Sequence, residues 1–414
     1  MTDSAARPTI LCIASFFKGN EFIREAQAQG ARVVLLTREK LLDRDWARES
    51  LDELLAIPGK TSVSAYLAAA THVARIYPVT RVVALEEYDI VTAAHIREHL
   101  CVPGMGTTTA RSFQDKLAMR AQGRDVRLPQ PDFVQLVNYE AIDQFMRRNS
   151  PPWMLKPRIG ASSMGMRKLH EPEQVWNSVG ELDARDELHE RSDFHLLERY
   201  VPGNVYHVDS LLVGGKIVFT NVAQYGAPPF DIAHGGGVTT SRTVPYASTL
   251  RRELLALNKK LLLGFGIDRG VTHAEFIERS ETTKPADRFL FLEVAARVGG
   301  AYTAETIEAA TGINVWREWA KIELATSQRP YKLPKTRKDY AGIAMSLARQ
   351  ESPDTLDYTD AEIVYRVSKS RHVGLIIRSN RHKRIVELLD QYVARFNRDF
   401  TAVLPVEERA EQHL

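Results

Sequence analysis

The stretch Leu155-Lys156-Pro157-Arg158-Ile159-Gly160-Ala161-Ser162-Ser163-Met164-Gly165-Met166 reads as strand, loop, strand. Trp153, Met154 and Leu155 supply an apolar strand end, and Lys156 places a cation at its terminus. Pro157 stops the ladder, because it has no backbone N–H to give. Gly160 and Gly165 bracket the small residues Ala161, Ser162 and Ser163. A loop of that build brings several backbone N–H groups close to a phosphate, and the two hydroxyls add to them. It is not the P-loop pattern, since no Gly-Lys-Ser/Thr opens a helix here. An ordinary hairpin loop fits the same residues, and the charged residues downstream decide between the two.

Working outward, the chain has 414 residues, more than one ordinary core, so two or three domains are expected. Its 44% hydrophobic and 26% charged residues are ordinary for a globular protein. A formal net charge of +3 and the lack of a long Lys/Arg run argue against nucleic acid or an anionic membrane as partner. No stretch approaches the ~20 apolar residues of a membrane span, and the apolar run 9–14 is too short for a signal segment. Cys12 and Cys101 sit in apolar runs and read as small core residues rather than a disulfide. The expected setting is reducing and cytoplasmic.

Strands over 9–15, 32–37 and 81–85 alternate with helices over 21–29, 62–76 and 89–100, the pattern of a parallel α/β domain. The first turn, Phe17-Lys18-Gly19-Asn20, lacks Gly-x-Gly-x-x-Gly, so a dinucleotide site is not supported. Glu86, Glu87 and Asp89 lie at the carboxyl end of the third strand, where open α/β sheets place ligands, but a helix N-terminus whose dipole favours acids is the preferred reading. Thr107 caps a helix that contains Asp115 and Lys116. Strands over 132–136, 153–156, 166–169 and 195–200 surround helices over 139–148 and from Pro172. Residues 206–213 and 217–224 form a hairpin on Gly214-Gly215. A Leu-rich helix over 251–265 precedes strands over 271–278 and 289–294. A helix over 314–325, short strands from 340 and a helix over 382–396 follow, and 407–414 reads as a polar tail.

Alternation puts His273 and Glu275 on one face, and Glu293, Ala295 and Arg297 on one face of the neighbouring strand. Two carboxylates meeting across a hairpin in an apolar context repel. A divalent cation relieves that, and hard oxygen ligands suit Mg²⁺. Arg297 offers a guanidinium fork to a phosphoryl or carboxylate oxygen. A structural Glu–Arg pair is the alternative. The segment 225–237, with Pro228-Pro229 and His234-Gly-Gly-Gly, is a candidate second lid or a plain mobile connection. No Gly-x-Ser-x-Gly elbow accompanies it, which argues against a hydrolase.

In order, Asp115-Lys116, Leu155-Lys156-Pro157 with Gly160 and Gly165, Leu197-Glu198-Arg199-Tyr200-Val201-Pro202-Gly203, His273-Ala274-Glu275, and Glu293-Val294-Ala295-Ala296-Arg297 resemble the ATP-grasp superfamily, within it the carboxylate–amine ligases of amino-acid ligase type. The resemblance implies a fold that mixes α/β and α+β. An N-terminal parallel α/β (pre-ATP-grasp) domain spans 1–106. An ATP-grasp domain of two α+β subdomains spans 107–330, with a small ATP-lid subdomain at about 122–200. A C-terminal α+β subdomain like that of biotin carboxylase spans 331–414.

The same resemblance implies site residues. Lys116 and Lys156 contact ATP phosphates. Gly160, Ser162, Ser163 and Met164 close over them. Glu198, Tyr200 and Val201 belong to a hinge that pairs with adenine through backbone groups. Glu275 and Glu293 hold Mg²⁺, with Mn²⁺ as the substitute. Arg297 and Lys156 are the catalytic candidates. Two departures stand out: Ala295 replaces a frequent Asn ligand, and Val205 replaces a frequent Glu near the ribose, for which His207 and Asp209 are the expected substitutes. The implied activity is ligation of a small-molecule carboxylate to an amine through an acyl phosphate, and the implied assembly a homodimer. A bicarbonate-activating enzyme and a non-catalytic ATP-binding protein are the alternatives.

Overall fold

Apolar runs separated by helices build a parallel sheet of β1 (Thr9–Ala14), β2 (Arg32–Arg38), β3 (Glu53–Ile57) and β4 (Val79–Ala84), in the order β3-β2-β1-β4. The structure is a computed structural model, and it describes residues 7–58, 62–160, 163–280 and 288–402. Every residue of β1 is buried, as a central parallel strand covered on both faces requires. Helices Asn20–Ala28, Val63–Ile76 and Ile90–Leu100 connect the strands. β3 was not anticipated. Glu53-Leu-Leu-Ala-Ile is short and opens on a charge, and pairing with Val34–Arg38 of β2 makes it a strand. Cys12 is buried, but Cys101 is exposed, because it ends its helix with a positive φ of 54°.

A second, small antiparallel sheet comprises β5 (Phe133–Gln135), β6 (Trp153–Pro157), β7 (Arg167–Leu169) and β8 (His195–Arg199), in the order β5-β8-β6-β7. Helices Tyr139–Arg148 and Pro172–Asp183 cover it. Ile142, Phe145, Trp153, Leu155, Val175 and Leu197 form its own core. The single helix expected from Thr107 through Lys116 is two, Thr107–Arg111 and Lys116–Asp125. Asp115 breaks it: its carboxylate accepts the N–H groups of Leu117 and Ala118 as an N-cap.

The largest sheet is antiparallel, with β9 (Gly203–Val213), β10 (Lys216–Tyr225), β11 (Thr239–Thr243), β12 (Gly270–Arg279), β13 (Phe289–Ala295), β14 (Tyr340–Leu347), β15 (Ile363–Arg366) and β16 (His372–Ser379) in the order β13-β12-β9-β10-β11-β14-β16-β15. Gly214 and Gly215, with φ of 58° and 69°, make the tight turn between β9 and β10. The C-terminal strands do not form a sheet of their own. Pairing of β11 with β14 joins them to the central sheet. Helix Thr249–Phe265 buries Leu254, Leu261, Leu262 and Phe265 against Tyr206, Phe276 and Phe291. Helix His382–Asp399 packs Ile385, Leu388, Tyr392 and Phe396 beside Leu375 and Ile377. Among the described residues no helix is long and apolar enough to cross a membrane.

Candidate active site

A cleft lies between the small sheet and β9, β12 and β13 of the large one. Register places Glu275 of β12 directly opposite Glu293 of β13, and both line the cleft. Lys156, at the end of β6, lines it from the small sheet, with Glu198, Tyr200 and Val201 at the end of β8. Gly160, Ser163, Met164 and Met166 border it from the loop after β6. The opposite lip is the segment 228–231, leading into a short helix, Pro229–Gly235. His234 of that helix bonds the Met166 carbonyl through Nε2 at 3.1 Å, so the two lips are tied together. Met154, Val205, Ile277 and Leu292 give the cleft an apolar wall. Ser162, an expected phosphate contact, and Ala161 lie outside the described residues.

The lysines are held by specific partners. Lys116 Nζ donates to the Gly160 carbonyl at 2.7 Å and stands 3.5 Å from Glu293. Lys156 Nζ stands 2.6 Å from Glu198, whose other side is taken by Arg120 at 2.7 Å. Burial alone would raise the Glu198 carboxyl, but Arg120 and Lys156 overcome it and bring its pKa down to about 2. The Glu198 carboxylate is thus consumed by two cations, and what it offers a ligand is its backbone.

Burial, then the neighbouring Glu275 and Glu87, hold the Glu293 carboxyl above its usual range against the pull of Lys116. Glu275 goes the other way. Burial would raise it, but His273 and a hydrogen bond from Tyr225 O–H at 3.0 Å lower it. His273 is itself bound through Nδ1 to Asp209 at 2.8 Å. Against the effect of burial, that carboxylate lifts its pKa to about 10. Two facing carboxylates, one reluctant to ionise, are a donor set that a hard divalent cation fits. Ala295 adds no ligand, and His273 stands opposite it in register.

Three groups stand elsewhere than the sequence suggests. His207 and Asp209 do not border the cleft. The two Asp209 oxygens take Nδ1 of His207 at 2.7 Å and Nδ1 of His273, and Ser241 bonds His207 Nε2 at 2.8 Å. Tyr225 packs against the His207 ring at 4.9 Å, so His207 and Asp209 face this polar cluster while Val205 of the same strand face lines the cleft. Arg297 also lies off the cleft wall. Glu87 holds its guanidinium at 2.5 Å, with Glu86 at 3.9 Å. Finally, Glu86 and Glu87 are more than helix-terminal acids: Glu86 pairs with Lys18 as well as Arg297. Asp89 accepts the Ser15 N–H at 2.7 Å. Lys18, Arg120 and Tyr225 were not anticipated. The available signal was an acidic pair at the carboxyl end of a parallel strand, where open α/β sheets place ligands.

A crystal structure of an L-amino acid ligase from Bacillus licheniformis superposes with a TM-score of 0.73 at 14% identity, covering 96% of this chain and 99% of that one. The fold is ATP-grasp. The biotin carboxylase domain dimer of the Hydrogenobacter thermophilus 2-oxoglutarate carboxylase, solved with MgADP, ADP and bicarbonate, shares this ATP-grasp fold at a TM-score of 0.67 and 15% identity, over 92% of this chain and 88% of that one. By sequence, the chain is 22% identical over 276 residues to the L-arginine-specific L-amino acid ligase of Bacillus subtilis, which is 66% of this chain and 64% of that relative. The match therefore spans less than two thirds of the relative's length. No family model matches the chain.

Proposed function

We propose that this protein is an ATP-dependent ligase that joins a carboxylate to an amine, with amino acids as the substrate class. The observation that carries the reading is the facing pair Glu275–Glu293 beside Lys116 and Lys156, in a cleft bordered by a glycine-bracketed loop and a short helix. The likeness to amino acid ligases supports it.

Each group has a task in this reading. Met154, Val205, Ile277 and Leu292 receive the adenine, and backbone groups of Glu198 to Val201 pair with it. Lys116 and Lys156 present ammonium groups to phosphate oxygens, and Glu198 fixes the second of them in place. Glu275 and Glu293 would hold Mg²⁺, or Mn²⁺ in its stead, which neutralises charge on the transferring phosphoryl group when bound. Arg297, oriented by Glu86 and Glu87, receives the substrate carboxylate. The carboxylate oxygen takes the γ-phosphoryl group and ADP leaves. The amine then attacks the acyl carbon, and phosphate leaves with the electron pair of the broken C–O bond. The tied lips keep water from the acyl phosphate. The reading makes the enzyme cytoplasmic and, by likeness to the Hydrogenobacter domain dimer, a homodimer.

The test is phosphate release from ATP and Mg²⁺ over single amino acids, amino acid pairs and bicarbonate. Release that needs a carboxylate and an amine together is the expected result. Release with bicarbonate alone would replace the proposal with a carboxylase-like reaction. In Glu293→Gln the turnover should fall by about 10²-fold or more while nucleotide binding survives; an unchanged rate would remove Glu293 from the site.

A further inference from the structure

A second cleft opens where β4 and helix Ile90–Leu100 of the parallel sheet meet the start of β12 and helix Val315–Leu324. Three guanidinium groups, Arg81, Arg97 and Arg269, line it with one carboxylate, Glu323. The indole N–H of Trp319 donates to Glu323 at 2.9 Å. Arg81 stands 3.8 Å from Glu323 and donates to its backbone carbonyl at 3.0 Å. Arg97 donates to the carbonyls of Val82 at 2.7 Å and Met105 at 2.9 Å. Those carbonyls position the guanidinium without neutralising it. Arg269 has Asp268 at 3.7 Å, but that carboxylate is 70% exposed. Nη1 of Arg269 is buried with no hydrogen-bond partner among the described residues. Burial holds the Glu323 carboxyl above its usual range in spite of the surrounding cations. The cleft is therefore short of negative charge and of one acceptor.

The backbone is shaped for it. Gly104 has a φ of 147°, and a Cβ there would stand 2.6 Å from Arg97 Cδ. Gly270 has a φ of 116°, and its Cβ would stand 3.3 Å from Trp319 Nε1. Both glycines line the cleft with positive φ that other residues rarely adopt; a Cβ at Gly104 would displace Arg97, and one at Gly270 would crowd Trp319.

We propose that this cleft binds a small oxyanion, phosphate or carboxylate, between Arg81, Arg97 and Arg269. Planar guanidinium forks match both anions, and a buried N–H without an acceptor gains most from one. The site is separate from the ATP cleft, and it does not rest on the ligase reading. Ala296, next to Arg297, is part of its lining. An anion here would fasten the parallel sheet to the strand end that carries Arg297.

The experiment is a fluorescence titration of the full-length protein, with inorganic phosphate in one arm and succinate in the other. Trp319 lies in the cleft, so the proposal expects a saturable change that is absent in Trp319→Phe. Arg269→Gln, a partly exposed and hence tolerated change, should weaken the response about tenfold or more, the loss of one charge-assisted hydrogen bond. Lys156→Ala, which alters the ATP cleft, should leave it intact. A response in the phosphate arm alone assigns a phosphoryl ligand, and in the succinate arm alone a carboxylate. A Trp319-linked response in neither arm, or one that Arg269→Gln leaves unchanged, overturns the proposal.

Discussion

Glu198 lies between two cations at the wall of the main cleft, and its side chain is 1% exposed. Removing one partner of such a group leaves the others buried and uncompensated. Glu198→Gln should cost about 3–5 kcal/mol of stability, read as the shift of a urea unfolding curve; a loss within the error of the curves would show that Arg120 and Lys156 find other partners. The pH dependence follows from the sign of the shift. The folded carboxyl, at about 2, is depressed from its ordinary 4.5. Its contribution is present above 4.5 and is lost as the pH falls through about 2. The wild type should therefore lose stability across that acid window, and the variant should lose less. The Glu275–Glu293 pair was legible from alternation alone, since the period of two fixes which side chains share a face. The ties of Arg297 to Glu86 and Glu87 were not, because a fork can point to any anion within reach. His207 and Asp209 were misplaced for a related reason. They share a strand face with Val205, but a face changes environment along its length.

Elements close the cleft, and one contact couples two of them. His234→Ala removes the bond between helix Pro229–Gly235 and the Met166 carbonyl. The fold should be unaffected, since His234 is exposed. The expected effect is uncoupling: more phosphate released per product formed, as water reaches the acyl phosphate. Equal stoichiometry in wild type and variant would remove the tie from the mechanism. Gly203 opens β9 where β12 passes close, and a Cβ there would stand 1.8 Å from the Glu278 carbonyl. Gly203→Ala should shift the cleft-lining end of β9 and cost more than about 2 kcal/mol, measured by the same unfolding curves. Elements with strong periodicity, such as the Leu-rich helix Thr249–Phe265, were readable almost to the residue. β11, Thr-Thr-Ser-Arg-Thr, was not, because it has no apolar residue and hence no apolar–polar alternation to read. Only its neighbours β10 and β14 make it a strand.

At the scale of the molecule, the eight-stranded sheet runs from the site carboxylates on β12 and β13 to the C-terminal strands. A chain ending at residue 335 would lack β14, β15 and β16 and leave β11 as an unpaired edge. Such a chain should be insoluble or readily cleaved within 225–243 by a protease, whereas a soluble, resistant fragment would show that the C-terminal strands are dispensable. The sequence divides there into segments, and only pairing across β11 reveals that they share a sheet. The tie between Glu87 and Arg297 spans 210 positions. During synthesis, which runs from the N-terminus, the acidic pair leaves the ribosome long before its guanidinium partner. A nascent chain thus carries the acidic pair without that guanidinium until the stretch after β13 has been translated. Half-made copies hold the two carboxylates without that partner, and the ion pair closes only once residues 87 and 297 have both been made.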